Sequence, residues 1–277
     1  MIVDCHCHAG PGDGLTGPWD TTAHLGPYLA RARAAGIDGT VFFAVFHSDY
    51  AVANRAVARI VADDPRRRMG FTFVHAHRDR GRIEALVAEG VERHGFRGIK
   101  VHRHDARITG EVCEVARRYR LPVLYDVMGE TAVVELLATE FPDVDFIIPH
   151  LGSFMDDWRA QVALLDPLER WPNIHTDSSG VRRFDLLLDA VRRAGPEKVL
   201  FGSDGPWLHP GVELHKIRML GLPPSAGRLV LGENLLRLTA RTRRRPRGRV
   251  AVALPHAPSP TPAGDPWEGE QFPVGGR

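Results

Sequence analysis

The sequence predicts an α/β protein of the TIM-barrel-like (β/α)8 type. Three observations carry this. About eight short runs are rich in β-branched and aromatic residues, nearly every run is followed by an Ala/Arg/Glu/Leu-rich stretch of helical period, and His, Asp and Lys gather where the runs end. The predicted strands are 2–8, 40–46, 70–75, 98–102, 122–127, 144–150, 173–177 and 199–204. Between them the helical pattern covers 22–35, 50–62, 82–94, 111–118, 130–140, 156–165 and 184–193, with stop signals at Gly36, Pro65, Gly95, Pro142 and Gly195. Strict alternation with eight apolar strands favours a closed parallel barrel. An open doubly wound sheet is the alternative, but no GxGxxG follows the first strand.

Composition narrows the class. The chain has 277 residues, 43% hydrophobic and 25% charged, enough to bury a sizeable core. No apolar run is long enough to span a membrane and no basic-then-apolar leader opens the sequence, so a cytoplasmic protein without membrane contact is expected. The net charge of +2 is uneven: seven Arg from Arg241 onward give the last 37 residues +4, and the rest carries −2. Residues 1–240 are therefore read as the barrel domain, and the Arg- and Pro-rich 241–277 as a flexible, disordered tail. A basic tail alone does not mark a nucleic-acid binder, and none is expected. Cys5, Cys7 and Cys113 cannot form a closed disulfide framework and are expected as free thiols. Self-association is left open.

Active sites of parallel barrels form at the C-terminal ends of the strands, where the loops converge. The first strand ends Asp4-Cys5-His6-Cys7-His8; alternation puts His6 and His8 on one face and the cysteines on the other. Two imidazoles there suit a metal such as Zn²⁺, although ordinary histidines or a site using the cysteines would give the same string. Later strand ends add His150, Asp204, Lys100 with His102, and Asp126. His47 with Asp49, His75 and His102 sit at the same end and are candidates for substrate contact. Asp177 is similarly placed, but Ser178-Ser179-Gly180 after it reads mainly as a turn.

At this point residues 1–240 resemble the amidohydrolase superfamily, in the branch that also contains aminocarboxymuconate semialdehyde decarboxylase and resorcylate-type decarboxylases. The resemblance rests on DCHCH, GIKVH, IIPHLGS, LFGSDGPW and LGENLLRL. It implies a metal-dependent hydrolase fold, with His6, His8 and His150 as metal ligands and Asp204 as a ligand that also handles protons. One position departs from the family pattern: a His is usual at the end of the fifth strand, and here it is Asp126. Asp126 either ligates the metal or pairs with Lys100. Lys100 is one of only three lysines in an Arg-dominated chain, and it bridges two metals as a carbamate, binds a substrate carboxylate or Asp126, or is structural. The expected cofactor is one divalent ion, zinc first. The expected activity is hydrolysis of a small amide, lactone or cyclic ester by a metal-activated water. Non-oxidative decarboxylation of a small aromatic or unsaturated acid is the alternative. A non-catalytic barrel binding an acidic partner through its tail is the reading from another class.

Overall fold

The alternation of apolar strand and amphipathic helix is realised in the computed structural model, which describes residues 1–17 and 20–243. Among the described residues the strands are β1 (Val3–Ala9), β2 (Gly39–Ala44), β3 in two pieces (Arg68–Gly70 and Thr72–Phe73), β4 (Ile99–His102), β5 (Val123–Asp126), β6 (Phe146–Ile148), β7 (Ile174–Asp177) and β8 (Val199–Leu200). Strands consecutive in the chain pair in parallel. β3 breaks at Phe71, whose N–H reaches Phe42 O on β2 at 3.0 Å, while Thr72 N–H turns to Gly98 O at 2.9 Å. Asn54 secures the second piece, its side chain bonding both the N–H (2.9 Å) and the C=O (2.8 Å) of Phe73.

The ring closes between its first and last strands. Cys5 N–H donates to Phe201 O at 3.0 Å, His8 N–H donates to Gly205 O at 2.7 Å, and Cys7 bridges to Gly205. The predicted barrel is thus the fold observed, its three-stranded and six-stranded sheets joined at the break in β3 and at this seam.

Outside the strands lie α1 (Leu25–Ala35), α2 (Tyr50–Ala62), α3 (Ile83–Ala88), α4 (Gly110–Tyr119), α5 (Ala132–Glu140), α6 (Trp158–Arg170), α7 (Phe184–Ala194), α8 (Pro210–Met219), α9 (Pro224–Arg228) and α10 (Asn234–Thr239). Each long helix buries one stripe; on α2 it is Tyr50, Ala53, Asn54, Val57, Ala58 and Val61, and Asp49 caps the start by accepting from Ala51 N–H at 2.9 Å. α6 outruns its predicted end at Leu165 and carries Pro167 inside it. The lost backbone bond is outweighed by burial of Leu164, Leu165 and Leu168 against the core.

Of the expected tail, residues 244–277 lie outside the described residues. Arg241 pairs with Asp145 at 3.1 Å and Arg243 N–H donates to Tyr119 O at 2.8 Å. No helix among the described residues is long and apolar enough to cross a membrane.

Candidate active site

The mouth of the barrel is built from β1 outward. A register shift between Asp4 and Cys7 in the β1–β2 pairing breaks strict alternation. His6 and His8 still converge, with ring centroids 5.6 Å apart and both packed on Phe43 at 5.1 and 4.7 Å. The cysteines do not share one outward face as alternation predicted: the Cys5 thiol donates to Asp177 Oδ2 at 3.9 Å, on the site's side. Burial pushes both thiols up, so they stay protonated and are poor ligands.

Each of three histidines at the mouth is fixed through Nδ1. His6 Nδ1 lies 2.8 Å from Asp177 Oδ2, His8 Nδ1 is 2.9 Å from Ala44 O, and His150 Nδ1 is 2.8 Å from Ser179 O. A carbonyl or carboxylate oxygen can only accept, so each Nδ1 carries a proton, and the Nε2 of a neutral ring presents a lone pair. His6 Nε2 and His8 Nε2 lie 3.3 and 3.7 Å from Asp204 Oδ1, and His150 Nε2 lies 3.4 Å from Asp126 Oδ2.

Where the ring is neutral and the carboxylate ionised, two lone pairs face each other and repel unless a cation or a proton stands between them; at His150, a second ring proton lets Nε2–H donate to Asp126 in the metal-free site. His6 Nε2 is buried and makes no hydrogen bond, the signature of a donor atom aimed at a ligand. His6, His8 and Asp204 bring one ligand atom each within 4.8 Å of the others. The residues therefore fit a divalent ion. The grouping of His6, His150 and Asp177 is different in kind. Asp177 spends Oδ2 on His6 and Oδ1 on Ser179 N–H (2.9 Å), Ser179 Oγ (2.6 Å) and His150 N–H (3.2 Å), so it orients ligands.

Charge states follow the same division. Burial, helped by the Lys100 charge, lowers His6 to about 3, and burial holds His8 well below the ordinary histidine value, so both keep their lone pairs. Burial pulls His150 down too, but the Asp126 carboxylate beside it overrides that and lifts it to about 9. Asp126 itself is held well below the ordinary range: burial opposes ionisation, and His102 and His150 more than compensate. Asp204 is pushed up to about 7 by burial, with His150 and Lys100 opposing. Among the described residues no backbone or hydroxyl donor is found on its carboxylate.

Asp204 reaches the site through local backbone geometry. Gly202 lets β8 approach, since a Cβ there would meet His6 Cβ and Asp177 Cγ at 3.1 Å. Asp204 then takes a left-handed φ of 54°, as His150 does at 58°. Behind them Asp4 accepts from Ser203 N–H (2.9 Å), Ser203 Oγ and Tyr28 OH (2.7 Å), tying β1 to the segment that carries Asp204.

The remaining predicted residues separate. His102 Nε2 lies 3.2 Å from Asp126 Oδ2, adjoining the ligand cluster. Lys100 is fully buried, its Nζ 4.8 Å from the Phe43 ring centroid and without a hydrogen-bond partner. Lys100 and Asp126 form no ion pair within 4.0 Å, and burial lowers the Lys100 pKa although Asp126 and Asp204 oppose this. His47 Nδ1 accepts from Asp49 N–H at 2.9 Å and lies 3.3 Å from Asp13 Oδ2. His75 Nδ1 accepts from His77 and Arg78 N–H at 3.3 and 3.0 Å. In both, Nδ1 is engaged by the loop that follows. Asp4 and Ser179 carry no sign of a working role in the sequence, whereas Asp177 stands at a strand end like the other candidates.

The family model for amidohydrolases matches residues 3–238. The chain belongs to the amidohydrolase family. Within that superfamily, this amidohydrolase falls in the branch expected from its motifs, and it is an enzyme of the metal-dependent hydrolase or decarboxylase type. No curated protein matches it by sequence. Solved structures do. A 2,6-dihydroxybenzoate decarboxylase from Rhizobium is 16% identical with a TM-score of 0.68, covering 86% of this chain and 98% of that one. A protein described as a 2-pyrone-4,6-dicarboxylic acid hydrolase, from Pseudomonas putida, is 18% identical with a TM-score of 0.67, covering 87% and 98%. A dihydroxybenzoic acid decarboxylase from Polaromonas, with bound manganese and the inhibitor 2-nitroresorcinol, is 14% identical with a TM-score of 0.61, covering 86% and 96%. At these identities the likeness is one of fold.

Proposed function

We propose that this amidohydrolase cleaves a small amide, lactone or cyclic ester with water, using one divalent ion held by His6, His8, His150 and Asp204 with Asp126 as a further ligand. The observation that carries the reading is the convergence of His6 Nε2 and His8 Nε2 on Asp204, with His6 Nε2 buried and without a hydrogen bond, beside the His150–Asp126 pair. Imidazole nitrogens with carboxylates suit zinc, and the manganese in the Polaromonas enzyme makes that ion the second candidate. When bound, the ion would supply acidification of water and polarisation of the scissile carbonyl. Asp204 does the proton work. Among the described residues no backbone or hydroxyl donor holds its carboxylate, so it can take a proton from the attacking water and return it to the leaving group.

Decarboxylation is the second reading, and one observation favours it. Trp207, 43% exposed, lies 4.9 Å from the His8 ring, and Phe154, 40% exposed, lies 5.0 Å from the His150 ring. Two aromatic walls beside the ligands suit a planar unsaturated acid. His47, His75 and Lys100 remain candidates for contact with a substrate's acidic group, and a small molecule is the partner in either case.

The test incubates metal-replete protein with lactones, cyclic esters, amides and aromatic acids, following ring opening and released CO₂ separately. Hydrolysis without CO₂ supports the first reading, and stoichiometric CO₂ replaces it with the second. Protein that purifies with no metal and gains no activity from added zinc or manganese overturns both.

A further inference from the structure

We infer that His102 is a positioning residue for Asp126: it donates Nε2–H to one carboxylate oxygen and so aims the remaining lone pair of that oxygen at the metal position. This rests on the metal reading above. The two residues are direct partners in the β4–β5 register, and Arg103 N–H donates to Asp126 O at 2.8 Å, so the backbones beneath them are fixed side by side. His104 N–H donates to His102 Nδ1 at 3.1 Å. A nitrogen that accepts a hydrogen bond carries no proton, so the neutral ring bears its proton on Nε2, 3.2 Å from Asp126 Oδ2. Phe46 holds the ring edge-on at 4.8 Å.

Asp126 is thereby held from two sides. Oδ1 accepts from Met128 N–H at 2.9 Å, and Oδ2 accepts from His102. The carboxylate cannot swing to offer both oxygens to an ion. On Oδ2 what remains is the lone pair on the side of His150 Nε2, 3.4 Å away. A carboxylate at the strand end where the family pattern has an imidazole is in this way limited to monodentate contact through Oδ2, as an imidazole is limited to one nitrogen. His102 supplies the restriction. Orienting partners of metal ligands are typically worth 10- to 100-fold in metal affinity.

Two isosteric substitutions separate this role from the turn His102 also caps. His102→Gln keeps an N–H donor at the place of Nε2. His102→Asn keeps an acceptor for His104 N–H and removes the donor. Zinc and manganese affinities are read by competition with a chromophoric chelator, beside thermal melts of each variant. The expected result is that His102→Gln stays within about threefold of wild type while His102→Asn loses about 10- to 100-fold with its melt unchanged. In an Asp126→Asn background, His102→Asn should add no further loss. Equal affinities for wild type and His102→Asn overturn the inference and leave the metal reading standing. Equal losses in both isosteres, or a full additional loss in the Asp126→Asn background, overturn it as well. A wild type that binds neither ion refutes the metal reading itself.

Discussion

The two halves of the barrel mouth use the same side chain in opposite ways. On the β1 and β6 side, His6, His8 and His150 give their Nδ1–H to oxygen acceptors from β7, β2 and the loop after β7, and turn Nε2 inward. On the β2, β3 and β4 side, His47, His75 and His102 accept backbone N–H at Nδ1 from residues two or three further along, and so carry their proton on Nε2. A histidine at a barrel strand end is thus a ligand or a donor according to what the backbone offers its Nδ1. Strand position alone does not distinguish the two.

The largest test of this division falls on the ligand side. Asp204→Asn keeps the shape and an oxygen for the ion but not the basicity, and turnover on whichever substrate is identified should fall by roughly 10² to 10⁴ while metal content stays measurable. Near-normal turnover in a folded, metal-loaded variant would remove Asp204 from proton transfer.

Next in size is metal content itself. The double variant His6→Ala, His8→Ala should lose its ion, a larger effect than the 10- to 100-fold expected of an orienting partner, whereas His47→Ala and His75→Ala should purify with the wild-type amount. Elemental analysis of the two sets side by side decides it; equal metal loss in both would abolish the distinction drawn between the halves.

A smaller effect belongs to the donor side. Replacing His75 by Ala frees two backbone N–H groups from their cap, comparable to loss of a helix N-cap at about 1 kcal/mol, and should lower the melting temperature by a few degrees at unchanged metal content.

The least effect is one of slope with pH in metal-stripped protein. Asp204 at about 7 is protonated in the fold while the unfolded chain has already ionised it, so its contribution declines as pH rises from about 4 to 7. His6 at about 3 runs the other way: the unfolded chain binds a proton below about 6.5, so its contribution declines as pH falls from there. Denaturant titrations of wild type and Asp204→Asn should therefore show the variant gaining stability relative to wild type as pH rises across 4 to 7. A constant difference would contradict the burial of Asp204.

Much of this was legible in the residues. Strand and helix positions follow from local periodicity, and His6, His8, His150 and Asp204 stand at strand ends that motif and spacing already expose. What could not be read is which oxygen or N–H meets each imidazole, because those partners come from across the ring. Asp177 is 171 residues from His6, and Ser203 is 199 from Asp4. The register shift in β1 that turns Cys5 toward Asp177 leaves no mark in the alternation of DCHCH. For the alternative to metal ligation at Asp126, an ion pair, opposite charge points to Lys100. The structure pairs Asp126 instead with His102, which register sets directly beside it.

The seam between β1 and β8 has a consequence for how such a centre comes into being. His6 and His8 emerge from the ribosome with the first strand, and Asp204 emerges only when some two hundred residues have followed. Synthesis runs from the N-terminus, so a nascent or prematurely ended chain exposes a pair of imidazoles that lack their carboxylate. Ion capture in the proposed geometry must wait until the last strand docks against the first. The Asp4 contacts that draw Ser203 into place then complete the wall of the barrel and the chemistry at its mouth in one event.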